Sequence, residues 1–434
     1  MTKPSHQIKD IIVTPIAVTD PPLLNCVGVH APYALRIILQ VVTEGGVVGV
    51  SEIPGNKETE DSINSIKKEL IGLDAFQPNQ ILRTVSEKLP AKNETDDRGG
   101  TPWDQRIVVH IFSALEVACL DIMGKALNCR VSDLLGGTMR EEIPFAAYLF
   151  YKFKGAGGKW GYEIDPTATG WDKARQQEAT STQGIIDQAI AMCKEFGYRS
   201  IKLKGGFFPP EKEVDDTLAI HREFDGEMPL RYDPNAIWSL ETGIKFARVF
   251  EGKLEYLEDP VRGQENMSTL RKTVDIPLAT NMCTTSFKDL PNSIKVHSED
   301  IILSDHHFWG GLRSTMELYK ICKTFGRGFS MHSNSHLGIS LAAMAHIGAA
   351  LPEFDYEFDT HYPWQSEDVI VGGKIRIENG CVNLPTGPGL GVEIDQAQLQ
   401  KLHENYLGCG LTKRDDELEM QKIDPNWKVV DTRY

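Results

Sequence analysis

No C-x-x-C pair occurs anywhere in this chain of 434 residues. Its eight cysteines (Cys26, Cys119, Cys129, Cys193, Cys283, Cys322, Cys381 and Cys409) are scattered, which predicts reduced thiols rather than a disulfide framework. Positive charge is also in short supply. A net charge of −15 argues against nucleic acid or an anionic membrane surface as partner, and an anionic substrate would need a local cluster of cations. No run of about 18 apolar residues exists, so no transmembrane helix is expected. The start, Met1-Thr2-Lys3-Pro4-Ser5-His6, lacks the apolar core of a signal, and together with the cysteine usage this gives a cytoplasmic expectation. Solenoid-type repeats and low-complexity tracts are missing too, which leaves a globular chain long enough for two domains.

What is present is a ladder of polar residues, each ending a short, mostly apolar run. Its members are Lys204, Asp233, Glu258, Asn281, Asp305 and His332, spaced 23 to 29 residues apart. Each run is followed by a segment with helical character, such as 240–250 or 314–325. A repeated strand-then-helix unit of this length predicts a parallel sheet, and six in a row suit a closed barrel with its chemistry at the C-terminal strand ends. Lys202 and Lys204 fall on one strand two residues apart, so they share a face. Mutual repulsion is expected to lower the pKa of at least one, bringing a lysine toward use as a base.

Around this core the chain divides into three parts. Residues 1–140 predict an α+β unit: strands at 11–13 and 36–42, a hairpin turn at Glu44-Gly45-Gly46, then helices near 58–71, 78–88 and 105–127. Residues 141–390 carry the barrel, whose first strand is expected at 143–151. Residues 391–434 form a C-terminal segment expected to pack back on the first unit. Before it, residues 374–384 predict a hairpin turning at Asn379-Gly380. Three loops exceed what connection requires, 19–33, 92–104 and 152–182, and long loops of that kind are functional or mobile. Gly387-Pro388-Gly389-Leu390-Gly391 reads as a tight turn, because no helix opens from it as a dinucleotide site needs.

Asp233, Glu258 and Asn281 put three oxygen donors on successive strand ends, a set suited to a hard cation such as Mg²⁺. Three solvated polar residues are the plain alternative, and Glu265 competes with Glu258. Asp305 beside His332 would fix the imidazole tautomer and make a general acid/base dyad. His332 and His336 share the spacing of a zinc helix, but Ser333 stands where the glutamate should be. His306-His307 reads as one core and one exposed histidine. In a barrel Lys204 and His332 lie on opposite sides of the mouth, with the cation ligands between, an arrangement for removing a proton α to a carboxylate.

These motifs resemble the enolase superfamily, in its mandelate-racemase-like branch, over nearly the whole chain. Within it they look most like the glucarate dehydratase family, through Lys202-Leu203-Lys204-Gly205-Gly206, Asp233-Pro234-Asn235, Glu258-Asp259-Pro260, Ala279-Thr280-Asn281-Met282, His307-Phe308-Trp309, His332-Ser333-Asn334 and Asp359-Thr360-His361. The resemblance implies a modified (β/α)8 barrel, (β/α)7β, with an N-terminal α+β capping domain. It also implies Mg²⁺ as cofactor, a small acid sugar as substrate and a homo-oligomeric assembly. Lys204 and His332 would be the two bases, and Lys202 would contact the carboxylate being enolised. His30, Thr101, Tyr148, Asn235, Asn281, Ser333, Asn334, His361 and Arg414 would hold substrate. Another acid-sugar dehydratase, a racemase, or a non-catalytic sugar-acid binder on the same scaffold are the alternatives this reading keeps.

Overall fold

The computed structural model describes residues 5–89 and 106–434. Its first layer is an antiparallel sheet of β1 (Ile8–Thr19), β2 (Tyr33–Thr43) and β3 (Val48–Pro54), with β2 in the middle. Helices Lys57–Leu70, Pro78–Lys88 and Ile107–Leu127 close over one face and complete a separate apolar core. The first is built as its sequence dictates: Asn56 caps the Thr59 N–H, and Thr59, Ile63, Ile66 and Leu70 form a buried stripe at helical spacing.

Helix Ile107–Leu127 is long and apolar enough by composition to cross a membrane, but 78% of its most apolar window is buried inside this protein. Its carboxylates act as bolts to the rest of the chain. Glu116 accepts from the Leu312 N–H at 2.9 Å, and Asp121 from Val50 N–H at 2.9 Å and Leu390 N–H at 2.8 Å. The turn at 387–391 fits here: Gly389 has φ +72°, and a Cβ there would meet Asp121 at 2.1 Å.

The second layer is a barrel of eight parallel strands. They are β4 (Glu142–Phe150), β5 (Ile201–Lys204), β6 (Leu230–Asp233), β7 (Tyr256–Glu258), β8 (Leu278–Thr280), β9 (Ile301–Ser304), β10 (Gly328–Met331) and β11 (Phe358–Asp359). They pair in chain order from β4 to β10, and β11 returns to pair with β4. Ser330 Oγ donates to Glu357 O at 3.1 Å, which ties β10 to the approach to β11. A short 3-10 turn, Tyr362–Trp364, follows β11 in place of a full helix, consistent with the (β/α)7β variant.

The register levels the strand ends. Phe150 pairs with Lys204 and Lys204 with Asp233; Tyr232 pairs with Leu257, so Asp233 and Glu258 stand side by side. Ser304 pairs with Met331, which does the same for Asp305 and His332. The predicted hairpin is present as β12 (Ile377–Glu378) and β13 (Cys381–Asn383), turning through Asn379 at φ 53° and Gly380 at φ 76°, and β13 adds antiparallel to β4.

Beyond the barrel, helices Gln396–Cys409 and Asp416–Gln421 lie on the first layer. His403 Nδ1 meets Pro15 O at 2.7 Å, and Asn25 Nδ2 donates to Asp416 Oδ2 at 2.9 Å.

Two of the three long loops meet at Lys152, which is fully buried and bridges to both Leu23 and Ala179. Its ammonium donates to the carbonyls of Phe153 at 2.6 Å, Gly155 at 3.3 Å and Gln177 at 2.6 Å. Burial pushes its pKa down to about 7, with Arg175 acting the same way. Only the Glu178 charge opposes that shift, and it does not offset the burial. A lysine whose folded pKa lies below its unfolded value near 10.5 makes the protein less stable while it is charged, and stability rises with pH between the two values. Lys152→Met removes that dependence. The stability of wild type relative to this variant is therefore expected to rise between pH 7 and 10, by up to about 1.4 kcal/mol per pH unit. Denaturant titrations of both proteins across that range check the sign.

Candidate active site

The strand ends converge on a buried set of charges. Lys202 lies fully buried at the barrel's centre. Its Nζ donates to Asp359 Oδ2 at 2.6 Å, and lies 2.6 Å from Glu258 Oε2 and 3.7 Å from Asp233 Oδ2. The ammonium also sits over the Tyr148 ring, 4.7 Å from its centroid. Lys204 Nζ donates to Asp233 Oδ2 at 2.7 Å.

These contacts correct one expectation. The lysines do not depress one another into bases. Burial does pull both down, but Asp359 and Glu258 around Lys202, and Asp233 beside Lys204, more than offset it and leave both raised. The physical reason is that each ammonium is closer to a carboxylate than like-charge repulsion could outweigh. Burial pushes Asp233 upward, but Lys204 and Lys202 outweigh it and hold the carboxyl at about 2. Burial dominates at Glu258 and raises it well above the usual carboxylate range, with Lys202 opposing.

Asp233, Glu258 and Asn281 are all buried at adjacent strand ends. The Asn281 amide nitrogen donates to Glu258 Oε1, while Glu258 Oε2, despite its closeness to Lys202, lacks hydrogen-bond geometry to any partner among the described residues. Asp259 fixes the third member, accepting from the Asn281 N–H at 2.8 Å and the Met282 N–H at 3.1 Å. Two carboxylates and an amide, with one carboxylate oxygen not hydrogen-bonded, fit a hard divalent cation. The rival Glu265 is exposed on helix Gln264–Arg271, in the first turn.

On the far side, His332 Nδ1 meets Asp305 Oδ2 at 3.2 Å. Asp305 is fully engaged: Oδ1 accepts from the His307 N–H at 2.9 Å and faces His307 Nδ1 at 2.7 Å, and Oδ2 also accepts from Asn334 Nδ2 at 2.9 Å. Burial works to raise its pKa, but His307 and His332 prevail and hold it well below the usual range. His306 and His307 are both buried, 2% exposed each, which corrects the expectation of one exposed histidine. The four-residue turn His306–Trp309 follows β9, and its two histidine rings lie 3.9 Å apart.

Ligand atoms of Asp305, His306 and His307 lie within 4.8 Å of one another. The Asp305 oxygens already serve His307, His332 and Asn334, so this group anchors the histidine rather than forming the oxygen-donor set. His336 is no partner for His332 in a zinc site, since its Nε2 meets Thr360 Oγ1 at 3.1 Å and its Nδ1 Leu337 O at 3.3 Å. Burial pushes its pKa to about 3.

The remaining residues form a wall. His30 and His361 stack at 5.9 Å, and His361 packs against Tyr148 at 5.8 Å and Phe150 at 4.8 Å. Burial depresses both histidines well below their ordinary value, Arg414 adding to this at each. The rings are therefore neutral, matched to hydroxyl groups rather than to anions. His30 Nδ1 meets Asp20 at 2.9 Å, and Ser333 Oγ accepts from the His361 N–H at 2.8 Å. Asn235, at φ 61° and fully buried, has neither amide atom hydrogen-bonded among the described residues. Such a group marks a ligand position. Arg414 forks onto Asp416 at 2.8 and 3.0 Å. Thr101, and the loop 92–104 that contains it, lie outside the described residues.

Reasoning from sequence missed the roles of Asp359, Asp20, His307 and Arg36. Asp359 closes a strand of two residues, too short to carry an apolar run, although its motif was noticed. Asp20 and His307 meet His30 and Asp305 nearby in sequence but outside any strand or helix pattern, and Arg36 gains meaning through contacts across the chain.

Comparison with known proteins agrees with this geometry. Residues 9–136 match the model described as "Mandelate racemase / muconate lactonizing enzyme, N-terminal domain", and residues 184–398 match "Enolase C-terminal domain-like". A Streptomyces coelicolor protein called "Probable glucarate dehydratase" is 40% identical, covering 97% of each chain. A Pseudomonas fluorescens enolase, solved with bound magnesium, potassium and tartrate, is 46% identical with a TM-score of 0.91, covering 99% of this chain and 100% of its own. A Gibberella zeae enolase, solved with magnesium, formate and sulfate, is 43% identical with a TM-score of 0.92, covering 99% of this chain and 98% of its own.

Proposed function

This chain belongs to the enolase superfamily, and from that premise we propose that it is a Mg²⁺-dependent dehydratase converting D-glucarate, and L-idarate, to 5-dehydro-4-deoxy-D-glucarate. The observation that carries the reading is the placement of Lys204 at the end of β5 and His332 just past β10, on opposed sides of a mouth lined by Asp233, Glu258 and Asn281. Two bases facing opposite sides of one carbon serve two configurations at that carbon, as D-glucarate and L-idarate require. A mere binding protein has no use for them. The Streptomyces relative named for glucarate dehydration supports the substrate.

Asp233, Glu258 and Asn281 would hold the cation, as the magnesium bound in the two solved enolases suggests. Once bound, Mg²⁺ supplies charge stabilisation to the substrate carboxylate as its α-carbon loses a proton. The chain's own residues do the rest. Lys202 approaches the same carboxylate and stabilises the enediolate. With Nδ1 held by Asp305, His332 uses Nε2 to take the α-proton of D-glucarate. As conjugate acid on the leaving-group side, it then gives that proton to the departing hydroxyl, which leaves as water, and ketonisation yields the product. Lys204 would take the proton of L-idarate from the other side, once its ion pair with Asp233 is given up to the cation and no longer holds the lysine protonated. Asn235, Ser333, Asn334, His30, Tyr148, His361 and Arg414 orient the polyhydroxy chain.

The test is α-proton exchange in deuterium oxide. Both epimers are expected to take up solvent deuterium, detected by NMR or mass spectrometry. Failure of both to exchange in the presence of Mg²⁺ would sink the proposal.

A further inference from the structure

We infer that Arg36, a residue of the first-layer strand β2, is a positioning residue for the His332 base: it holds the Asn334 amide in the one orientation that lets Asn334 and His332 share Asp305 Oδ2. This rests on the two-base reading above.

Arg36 is 2% exposed, and its guanidinium is divided among three partners. Nε donates to Glu52 Oε1 at 2.8 Å, Nη1 donates to Asn334 Oδ1 at 2.7 Å, and Nη2 lies 3.4 Å from His307 Nε2. A guanidinium only donates, so Nη1 requires the oxygen of the Asn334 amide to face it. That fixes the amide nitrogen on Asp305 Oδ2, at 2.9 Å. Reversing the amide would set an amide oxygen against a carboxylate and an amide nitrogen against a guanidinium, two repulsive contacts in place of two hydrogen bonds. Asp305 Oδ2 is the oxygen that His332 Nδ1 meets at 3.2 Å.

Arg36 reaches the other flank as well. Its Nη2 lies against His307 Nε2, on the ring whose Nδ1 meets Asp305 Oδ1 at 2.7 Å, and that Nε2 also faces Ser340 Oγ at 2.9 Å and Glu52 O at 3.1 Å. One guanidinium therefore braces both neighbours of the carboxylate that orients the base.

Glu52 on β3 holds the guanidinium and is itself pinned to the barrel. Its Oε1 accepts from the Leu337 N–H at 2.8 Å and its Oε2 from the Ser340 N–H at 3.1 Å. The first layer thereby sets the aim of a base on β10. Lys204, held by Asp233, shares none of these contacts.

Two proteins test this. Arg36→Lys keeps the charge but loses the fork. Arg36→Met combined with Glu52→Gln removes both buried charges together, so that neither is left alone. In each, kcat for D-glucarate is expected to fall about 30-fold or more with KM within about 3-fold, since small misplacement of a reacting group costs rate more than binding. Deuterium exchange into L-idarate, through Lys204, stays within about 3-fold and serves as the control for folding. Equal losses with both epimers would show a general structural role and overturn the inference, as would full retention with D-glucarate. Wild-type enzyme that exchanges neither epimer would overturn the two-base reading itself, and this inference with it.

Discussion

His332→Asn is expected to reduce turnover of D-glucarate by about 10³-fold or more while leaving deuterium exchange into L-idarate within a few-fold. The asymmetry follows from the site's construction. His332 gains its tautomer from Asp305, and asparagine retains a group able to meet that carboxylate but no lone-pair nitrogen to take a proton. Lys204, on β5, is tied to Asp233 and touches none of the Asp305 network, so its reaction survives. His332 would act twice on D-glucarate, as base and then as acid to the leaving hydroxyl, which places the loss at the upper end of general acid–base effects. Steady-state assays with both epimers measure it. Equal loss on both would mean that His332 holds the substrate rather than the proton.

Lys202→Met is expected to damage both stability and catalysis. Lys202 is fully buried and lies 2.6 Å from Asp359 and from Glu258. Deleting one partner of a buried ionic group costs about 3–5 kcal/mol, because the carboxylates left behind lose their counter-charge. Arg231, 3.6 Å from Asp359, relieves part of this. The kinetic loss is separate: without an ammonium near the enolising carboxylate, kcat is expected to fall about 10²- to 10³-fold for both epimers alike. Thermal denaturation and rates measured below the variant's melting range separate the two effects. A variant with wild-type stability would show that the charges around Lys202 balance without it.

The ladder from Lys204 to His332 was legible because a barrel writes its chemistry at a fixed place in a repeating unit. Each polar residue ends a short buried strand, and the register brings Asp233 beside Glu258 and Asp305 beside His332. The positions of the cap helices were equally readable, and so was the turn at Asn379-Gly380, whose residue types suit the positive φ angles found there.

What could not be read was the electrostatic state. The spacing of Lys202 and Lys204 implied mutual depression, whereas Asp359, 157 residues away in sequence, joins Asp233 and Glu258 to reverse it. One of His306 and His307 was expected to be exposed because nothing local shows that both are covered, His307 by β3 and residue 340 through Glu52 O at 3.1 Å and Ser340 Oγ. Arg36 sits in an ordinary strand pattern, and its meaning lies 298 residues away at Asn334. Contacts of that range leave no periodic trace in a single sequence.

The central claim, cation-dependent dehydration of an acid sugar at this strand-end site, is tested most directly by keto-acid formation from D-glucarate with Mg²⁺, then with EDTA, then with Mg²⁺ restored. The account predicts turnover, its loss on chelation, and its return. Turnover that persists in EDTA would contradict the role given to Asp233, Glu258 and Asn281, and no turnover with Mg²⁺ present would contradict the substrate.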